Sequence, residues 1–316
     1  MKTHRPPPKS ESMTLAAIVR AQQPDLSWNK CRDLIANGRV SVAGKIVYDA
    51  TSRFDATTPI VIGDRGVKPP KPLPNLLVYF YDAHLIVVEK PSAMETVPFH
   101  TKNDQDDRAS NDDTLIDVAR KWLEITEKRK SPPLRVVHRI DKGTSGIVAF
   151  ARTPAAEKAL GAQFREHSLH RKYLAICVGS PAQETISSSL IEDRGDGYRG
   201  STSAPKIGKH AVTHVEILGT SADGYTLVAC TIETGRTHQI RIHLCEAGHP
   251  ICGDAVYRSP KLGTAKIPDR SGASRLALHA AELGIAHPLT GKLLQYTSPL
   301  PADLTLLWNT LGGPPI

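Results

Sequence analysis

The sequence predicts an α+β fold: a mixed, mainly antiparallel sheet with flanking helices, preceded by a small N-terminal α/β module. Strand-like runs outnumber helical ones, and many follow one another across short turns instead of alternating with helices. A Pro- and Lys-rich stretch, GDRGVKPPKPLPN (63–75), reads as a stiff, solvated linker between an N-terminal segment and the rest. At 316 residues the chain exceeds the usual size of one domain, which suits one main body plus a smaller module.

In chain order, residues 1–11 read as a disordered basic tail. Apolar residues recur at helical spacing from Met13 to Arg20 and from Ser27 to Ile35, with Asp25 and Ser27 as plausible caps and Gly38 as a stop. RVSVAGKIVYD (39–49) alternates around Ala43-Gly44 as a hairpin does. These elements delimit a module over 12–65 and a linker over 66–75, and the main body takes 76–316. It opens with two strands, LLVYFYD and HLIVVEK, followed by an acidic insert (100–113) expected to be a mobile loop. A helix is predicted over 114–128, then strands RVV and GIVAFA around a polar turn that holds Asp141. A helix (154–167), a strand (172–178), a Gly/Ser-rich turn region reaching Gly208, strands at 211–218 and 225–232, a helix from about His238, and strands at 282–287 and 292–296 complete the reading.

Composition narrows the function. Apolar residues make up 40% of the chain and aromatic ones 5%, so a core built on Val, Ile, Leu and Ala is expected. No run approaches the ~18 apolar residues of a membrane-spanning helix, and Met1 to Glu11 has no apolar signal core behind it, so a soluble cytoplasmic protein is expected. The net charge of +8 favours a polyanionic partner without naming one. Cys31, Cys177, Cys230, Cys245 and Cys252 form no CxxC pair, as suits reduced thiols in a core. The spacing of His238, His243 and His249 matches neither an HExxH helix nor a zinc finger, so no metal is expected.

Three segments carry residues suited to chemistry. In HRIDKGTSG (138–146) an aspartate lies on a tight turn between buried strands; Asp141 reads equally as a catalytic group, nucleophile or general base, or as a turn cap. In TGRTHQIRIHL (234–244), Arg236, His238, Arg241 and His243 crowd the start of a helix, an end suited to anions. In HRKYLAI (170–176), Tyr173 is a candidate to stack on a base or move a proton, or an ordinary core tyrosine.

In sequence order, HRIDKGTSG, RKYLAICVG, TGRTHQIRIHLCEAGHPICGDAVY and LALHAAELGIAHPLTG resemble the signature blocks of the RluA-type pseudouridine synthases. The likeness runs from about Leu76 to Asp303, and Lys90-Pro91 fits the family's opening block. Two departures are visible: Ile140 stands where Leu is commoner, and Val97 is followed by Pro98 where a His is usual. WNKCRDLIANGRVSVAGKIV (28–47) resembles the small alpha-L RNA-binding module that often precedes this domain.

The resemblance implies an isomerase that converts uridine to pseudouridine in RNA, with no cofactor and no metal. Asp141 would attack the flipped nucleotide at its ribose, Arg241 would hold the carboxylate ionised, and Tyr173 would pack on the base or take the C5 proton. Arg139 would fill the gap left by the flipped base, and His138, Thr144, Arg236 and His238 would contact the substrate. Lys30, Arg32, Arg39 and Lys45 would line an RNA-facing surface of the N-terminal module. Large-subunit ribosomal RNA is the expected substrate and transfer RNA the alternative, with a monomer as the simplest assembly. Two other readings are an inactive RNA-binding relative, against which Asp141, Tyr173 and Arg241 all stand, and a glycoside hydrolase, which needs a second carboxylate such as Glu233.

Overall fold

The computed structural model describes residues 12–67, 74–98, 113–166, 169–204 and 206–315. The expected tail, the middle of the linker and all but the last residue of the acidic insert lie outside the described residues. The chain divides into two compact units, Met1–Pro72 and Leu73–Ile316.

In the first unit, β1 (Ser12–Thr14) leads into α1 (Leu15–Gln22), whose first turn is capped by the Thr14 hydroxyl accepting from the Ala17 N–H. Ser27 caps α2 (Trp28–Ala36) in the same way. Then come β2 (Val40–Val42), β3 (Lys45–Ile46), β4 (Arg53–Asp55) and β5 (Ile60–Ile62). Ala43 and Gly44 both have positive φ, the geometry of a tight two-residue hairpin turn between β2 and β3. Leu15, Ile18 and Val19 of α1 meet Cys31 and Ile35 of α2 over Val40, Val42 and Ile60, as the helical spacing of those residues requires. The sequence did not reveal β4 and β5. The backbone stays bound to this unit as far as Val67, whose N–H reaches the Gly38 carbonyl at 3.2 Å.

The second unit contains β6 (Val78–Tyr81), β7 (Leu85–Lys90), α3 (Leu115–Glu127), β8 (Arg135–Val136), β9 (Ser145–Ala151), α4 (Pro154–Arg165) and β10 (His170–Val178). Next come β11 (Glu184–Ile191), β12 (Gly200–Thr202), β13 (Lys209–Thr220), β14 (Tyr225–Ile232), α5 (Gln239–Glu246), β15 (Leu278–Ala286), β16 (Leu293–Thr297) and α6 (Ala302–Thr310). Its strands form one mixed sheet in the order β12-β11-β13-β14-β10-β15-β9-β7-β6, with β16 on β15 and β8 on β9. Every pairing is antiparallel except β15 with β9, in keeping with the mainly antiparallel sheet that the sequence predicts.

The continuous apolar runs of β7 and β9 have a direct cause. Leu85, Val87, Ile147 and Ala149 face Ala156 and Leu160 of α4, while Ile86, Val88, Val148 and Phe150 face Leu115, Ala119 and Leu123 of α3. With helices on both faces, neither side of these strands meets water, so alternation with polar residues disappears. Two expectations need correction. The region before Gly208, read as turns, contains β11 and β12, whose partners β13 and α5 supply the burial that their own Ser-rich sequence does not advertise. The C-terminal α6 was not anticipated; Leu304 and Trp308 anchor it in the core beside β14.

Candidate active site

Asp141 lies on the turn between β8 and β9, and that turn is gripped from beneath. Ile140 is buried against α3 and β7. Three side chains from residues 90–96 donate to the turn's carbonyls: Thr96 Oγ1 to Ile140 (2.9 Å), Lys90 Nζ to Lys142 (3.1 Å) and Ser92 Oγ to Gly143 (2.8 Å). Lys90 is fully buried and also donates to the Pro91 and Met94 carbonyls at 2.9 and 2.7 Å. Burial pushes its ammonium down to about 7, against the pull of the Asp141 carboxylate. Three accepting carbonyls nevertheless match its three N–H groups, a geometry made for the protonated form. Past the turn, Gly146 (φ 120°) passes so close to β15 that a Cβ would strike the Ala280 backbone, so no other residue fits there. Asp141 itself remains 24% exposed, its carboxylate open to a cleft.

The opposite wall is built by α5. Arg241 Nη1 lies 3.2 Å from Asp141 Oδ2. The rest of the guanidinium is taken by Asp254, with Nε and Nη2 at 2.8 and 2.9 Å from its two oxygens. Asp254 is wholly buried and also accepts the backbone N–H groups of Val256 and Tyr257. Burial alone would lower the Arg241 pKa, but the Asp254 and Asp141 carboxylates overcome it and raise the value. A bidentate guanidinium–carboxylate pair fixes the plane of the arginine, and therefore the direction from which Nη1 meets Asp141. Tyr257 packs under the same guanidinium at 4.9 Å, and its hydroxyl lies 2.7 Å from His238 Nδ1.

Sequence reasoning missed Asp254 and Tyr257. A signal existed: an arginine inside the apolar run QIRIHL needs a buried carboxylate as well as a solvent-facing one, and ICGDAVY supplies an aspartate among apolar residues.

The cleft between these walls has a volume of about 520 Å³, and Asp141, Arg139, Phe164, Arg171, Tyr173 and Arg236 are among its lining residues. Tyr173 enters from β10; burial raises its phenol pKa, Arg171 pulls it down and Asp141 adds to the rise. His238 has positive φ just ahead of α5, with Nε2 3.9 Å from Asp141 Oδ1, and burial keeps its imidazole toward the neutral form. His138 lines the cleft by its ring, which stacks on Phe164 at 4.4 Å; Nε2 accepts the Ala149 N–H, and burial beside Arg171 pushes the ring down to about 3. Thr144 is buried at the cleft floor, with no partner for its hydroxyl among the described residues. Arg139 is exposed at the rim, and Arg236 Nε is tied to the His210 carbonyl.

Glu233 stands outside the cleft lining, 2.9 Å from His214 Nε2, and Glu157, the other carboxylate of the lining, is paired with Arg135 at 2.8 Å. His243 is held between Ser188 and Thr213, and His249 by the Val178 carbonyl. Among the described residues no group of three or more His, Cys, Asp or Glu is arranged to hold a metal ion, and no helix is long and apolar enough to cross a membrane. In the first unit, Lys30 and Arg32 project from α2 and Lys45 from β3 into solvent, while the half-buried Arg39 donates to the Gly63 carbonyl at 2.8 Å.

Comparison with known proteins identifies the family and the fold. Residues 84–246 match the RNA pseudouridylate synthase family. Ribosomal large subunit pseudouridine synthase D of Zymomonas mobilis is 34% identical over 298 residues, 90% of this chain and 90% of that one. Dual-specificity RNA pseudouridine synthase RluA of Escherichia coli is 33% identical over 240 residues, 75% of this chain and 99% of that one. Among solved structures, human RNA pseudouridylate synthase domain containing 4 shares the fold, with a TM-score of 0.60 at 22% identity, covering 76% of this chain and 94% of that one. The α+β sheet with its cleft, the family match and these relatives lead to one conclusion: the chain belongs to the RluA-type RNA pseudouridine synthases, isomerases that act on RNA.

Proposed function

We propose that the chain isomerises uridine in large-subunit ribosomal RNA, with Asp141 as the nucleophile. The observation that carries this reading is a carboxylate open to a nucleotide-sized cleft, with Arg241 3.2 Å away and itself locked by Asp254. The guanidinium supplies a counter-charge 3.2 Å from the carboxylate, which is the attacking group. The carboxylate bonds to C1′ of the ribose, the C1′–N1 bond breaks, and its electron pair leaves with the uracil. The uracil turns, C5 bonds to C1′ and displaces the carboxylate, C5 gives up its proton and N1 gains one. Atoms balance without oxidant, reductant or cofactor.

Tyr173, whose phenol burial keeps neutral, lines the cleft and would pack against the base. Arg139, at the rim, is suited to occupy the space vacated by the flipped nucleotide. His138, Thr144, Arg236 and His238 line the cleft and would shape its fit to the nucleotide. Unstacking the uridine costs a few kcal/mol, offset by phosphate contacts elsewhere. Lys30, Arg32 and Lys45 are exposed for such contacts, and the half-buried Arg39, bonded to the Gly63 carbonyl, would add to them. The large-subunit substrate is supported by relatives of that printed name, including those of Zymomonas mobilis and Nitrosomonas europaea. The deciding experiment is to map pseudouridine in total RNA from cells with and without the protein. One or more positions in large-subunit ribosomal RNA should disappear; losses confined to transfer RNA would reassign the substrate, and no loss anywhere would remove the proposal.

A further inference from the structure

Arg152, Arg171 and Arg241 are the buried arginines among the described residues. Arg152 meets Glu127 at 2.7 Å, and Arg241 meets Asp254 and Asp141. Arg171, only 6% exposed, has no carboxylate among the described residues. Its Nη2 donates to the Glu233 carbonyl at 2.6 Å, and its Nε is buried with no acceptor among the described residues. Among the described residues, its neighbours are neutral. The Phe164 ring lies 5.8 Å from the guanidinium carbon, His138 is held uncharged, Tyr173 is a neutral phenol, and Leu283 is its register partner on β15. Gly235 has made room as well: a Cβ there would lie 2.7 Å from Nη1.

A guanidinium cannot shed its proton to escape this setting. Leaving a buried charge unpaired costs several kcal/mol, so a fold that carries one does so where a partner arrives from outside. Arg171 lines the same cleft as Asp141 and Tyr173, and the partner must therefore come with the substrate. Uracil is uncharged before its bond breaks, whereas RNA brings one full negative charge with every nucleotide. Its phosphodiester oxygens match guanidinium N–H donors.

We propose that Arg171 is a further substrate-binding residue, whose guanidinium takes a non-bridging oxygen of a phosphodiester next to the target uridine. The inference rests on reading the cleft as the nucleotide site. The RNA, on arrival, completes a charge pair that the folded protein leaves half made. Binding of the correct nucleotide thereby removes a local penalty as well as adding a contact.

The test uses the full-length chain carrying Asp141→Asn, so that RNA is bound without turnover, and a transcript of large-subunit ribosomal RNA as the probe. Adding Arg171→Gln should lower affinity about tenfold near 0.1 M salt and reduce the slope of log affinity against log salt by about one. Arg171→Lys should keep the slope and lose only a few-fold in affinity. Thermal melting should show Arg171→Gln at least as stable as its parent, because an unpaired buried charge has gone. Unchanged affinity and slope in Arg171→Gln would overturn the proposal. In the Asp141 background, a fall in kcat with the slope intact would place the guanidinium on the uracil and equally overturn the phosphate contact.

If Arg171→Gln does not fold, the unaltered protein decides. A synthetic hairpin holding the mapped uridine is made with a neutral methylphosphonate in place of each flanking phosphodiester in turn. One replacement should weaken binding about tenfold; equal affinity for all of them sinks the idea. Absence of pseudouridine in every RNA is a separate outcome: it removes the proposed function, whatever the salt slope shows.

Discussion

The two units hold their cations in opposite ways. In the larger unit the buried Arg241 is gripped by two carboxylates and the buried Lys90 by three carbonyls. In the smaller unit Lys30, Arg32 and Lys45 stand in solvent with no carboxylate partner among the described residues. Partners built around Arg241 and Lys90 set the direction of each charge before any ligand comes. An exposed charge is screened and mobile, so it adds attraction without register. The larger unit presents one carboxylate to a cleft, and the smaller one presents exposed cations to solvent.

The sharpest way to break this contrast is Asp141→Asn. The amide keeps the shape of the turn but cannot attack, so no pseudouridine should form while RNA affinity persists; product from a pure preparation would refute the nucleophile. Asp254→Asn comes next. It removes the charge that orients Arg241, without touching the cleft itself. A stability loss of roughly 3–5 kcal/mol and at least a hundredfold lower kcat are expected by denaturant melting and turnover, and near-normal rates would show that Arg241 needs no anchor.

Acid should separate the units. His243 and His279 are buried and held down to about 4 by burial, below their unfolded value of 6.5. The unfolded chain therefore takes up protons first as pH falls. Stability is intact above about 6.5 and drains away towards 4, by on the order of 3 kcal/mol for each histidine. The first unit has no histidine between residues 12 and 67 and escapes this effect. A pH series of melts on the whole chain should show the larger unit weakening in that window, and a flat profile from pH 7 to 4 would contradict the buried neutral rings.

Replacing Lys30, Arg32 and Lys45 together by Ala should lower RNA affinity roughly tenfold or more and cut the salt slope by about two to three, with kcat at saturating RNA unchanged. A lower kcat with an unchanged slope would show that the smaller unit aims rather than grips. The smallest effect is expected at Ala93, which has φ 65° between the clamp residues Ser92 and Met94. Ala93→Gly should stabilise by about 0.5–1 kcal/mol, because glycine enters the left-handed region freely; a loss of stability would mean that chain entropy outweighs strain there.

How far the sequence could be read differs from residue to residue. The helices of the first unit announced themselves through apolar spacing and through Ser27, since caps and periodicity act within a few residues. Strands β7 and β9 were legible because burial on both faces leaves an unbroken apolar run. Strand β11, ETISSSLI, was not, because its identity comes from pairing with β13 and from α5 behind it. Within the cleft, Asp141, Tyr173 and Arg241 stood out through the family's blocks, and the fold brings them to one cavity.

By itself the sequence determined the α+β class, the family, and the identity of the residues that meet in the cleft, because patterns of apolar spacing and short motifs are local records. Tertiary structure alone decided which charges have partners. Asp254 locks Arg241, Lys90 reaches a carbonyl far along the chain, and Arg171 is left without a counter-ion among the described residues. The physical reason is that the energy of a charge depends on burial and on neighbours contributed by other strands and helices, and neither exists until the chain has folded.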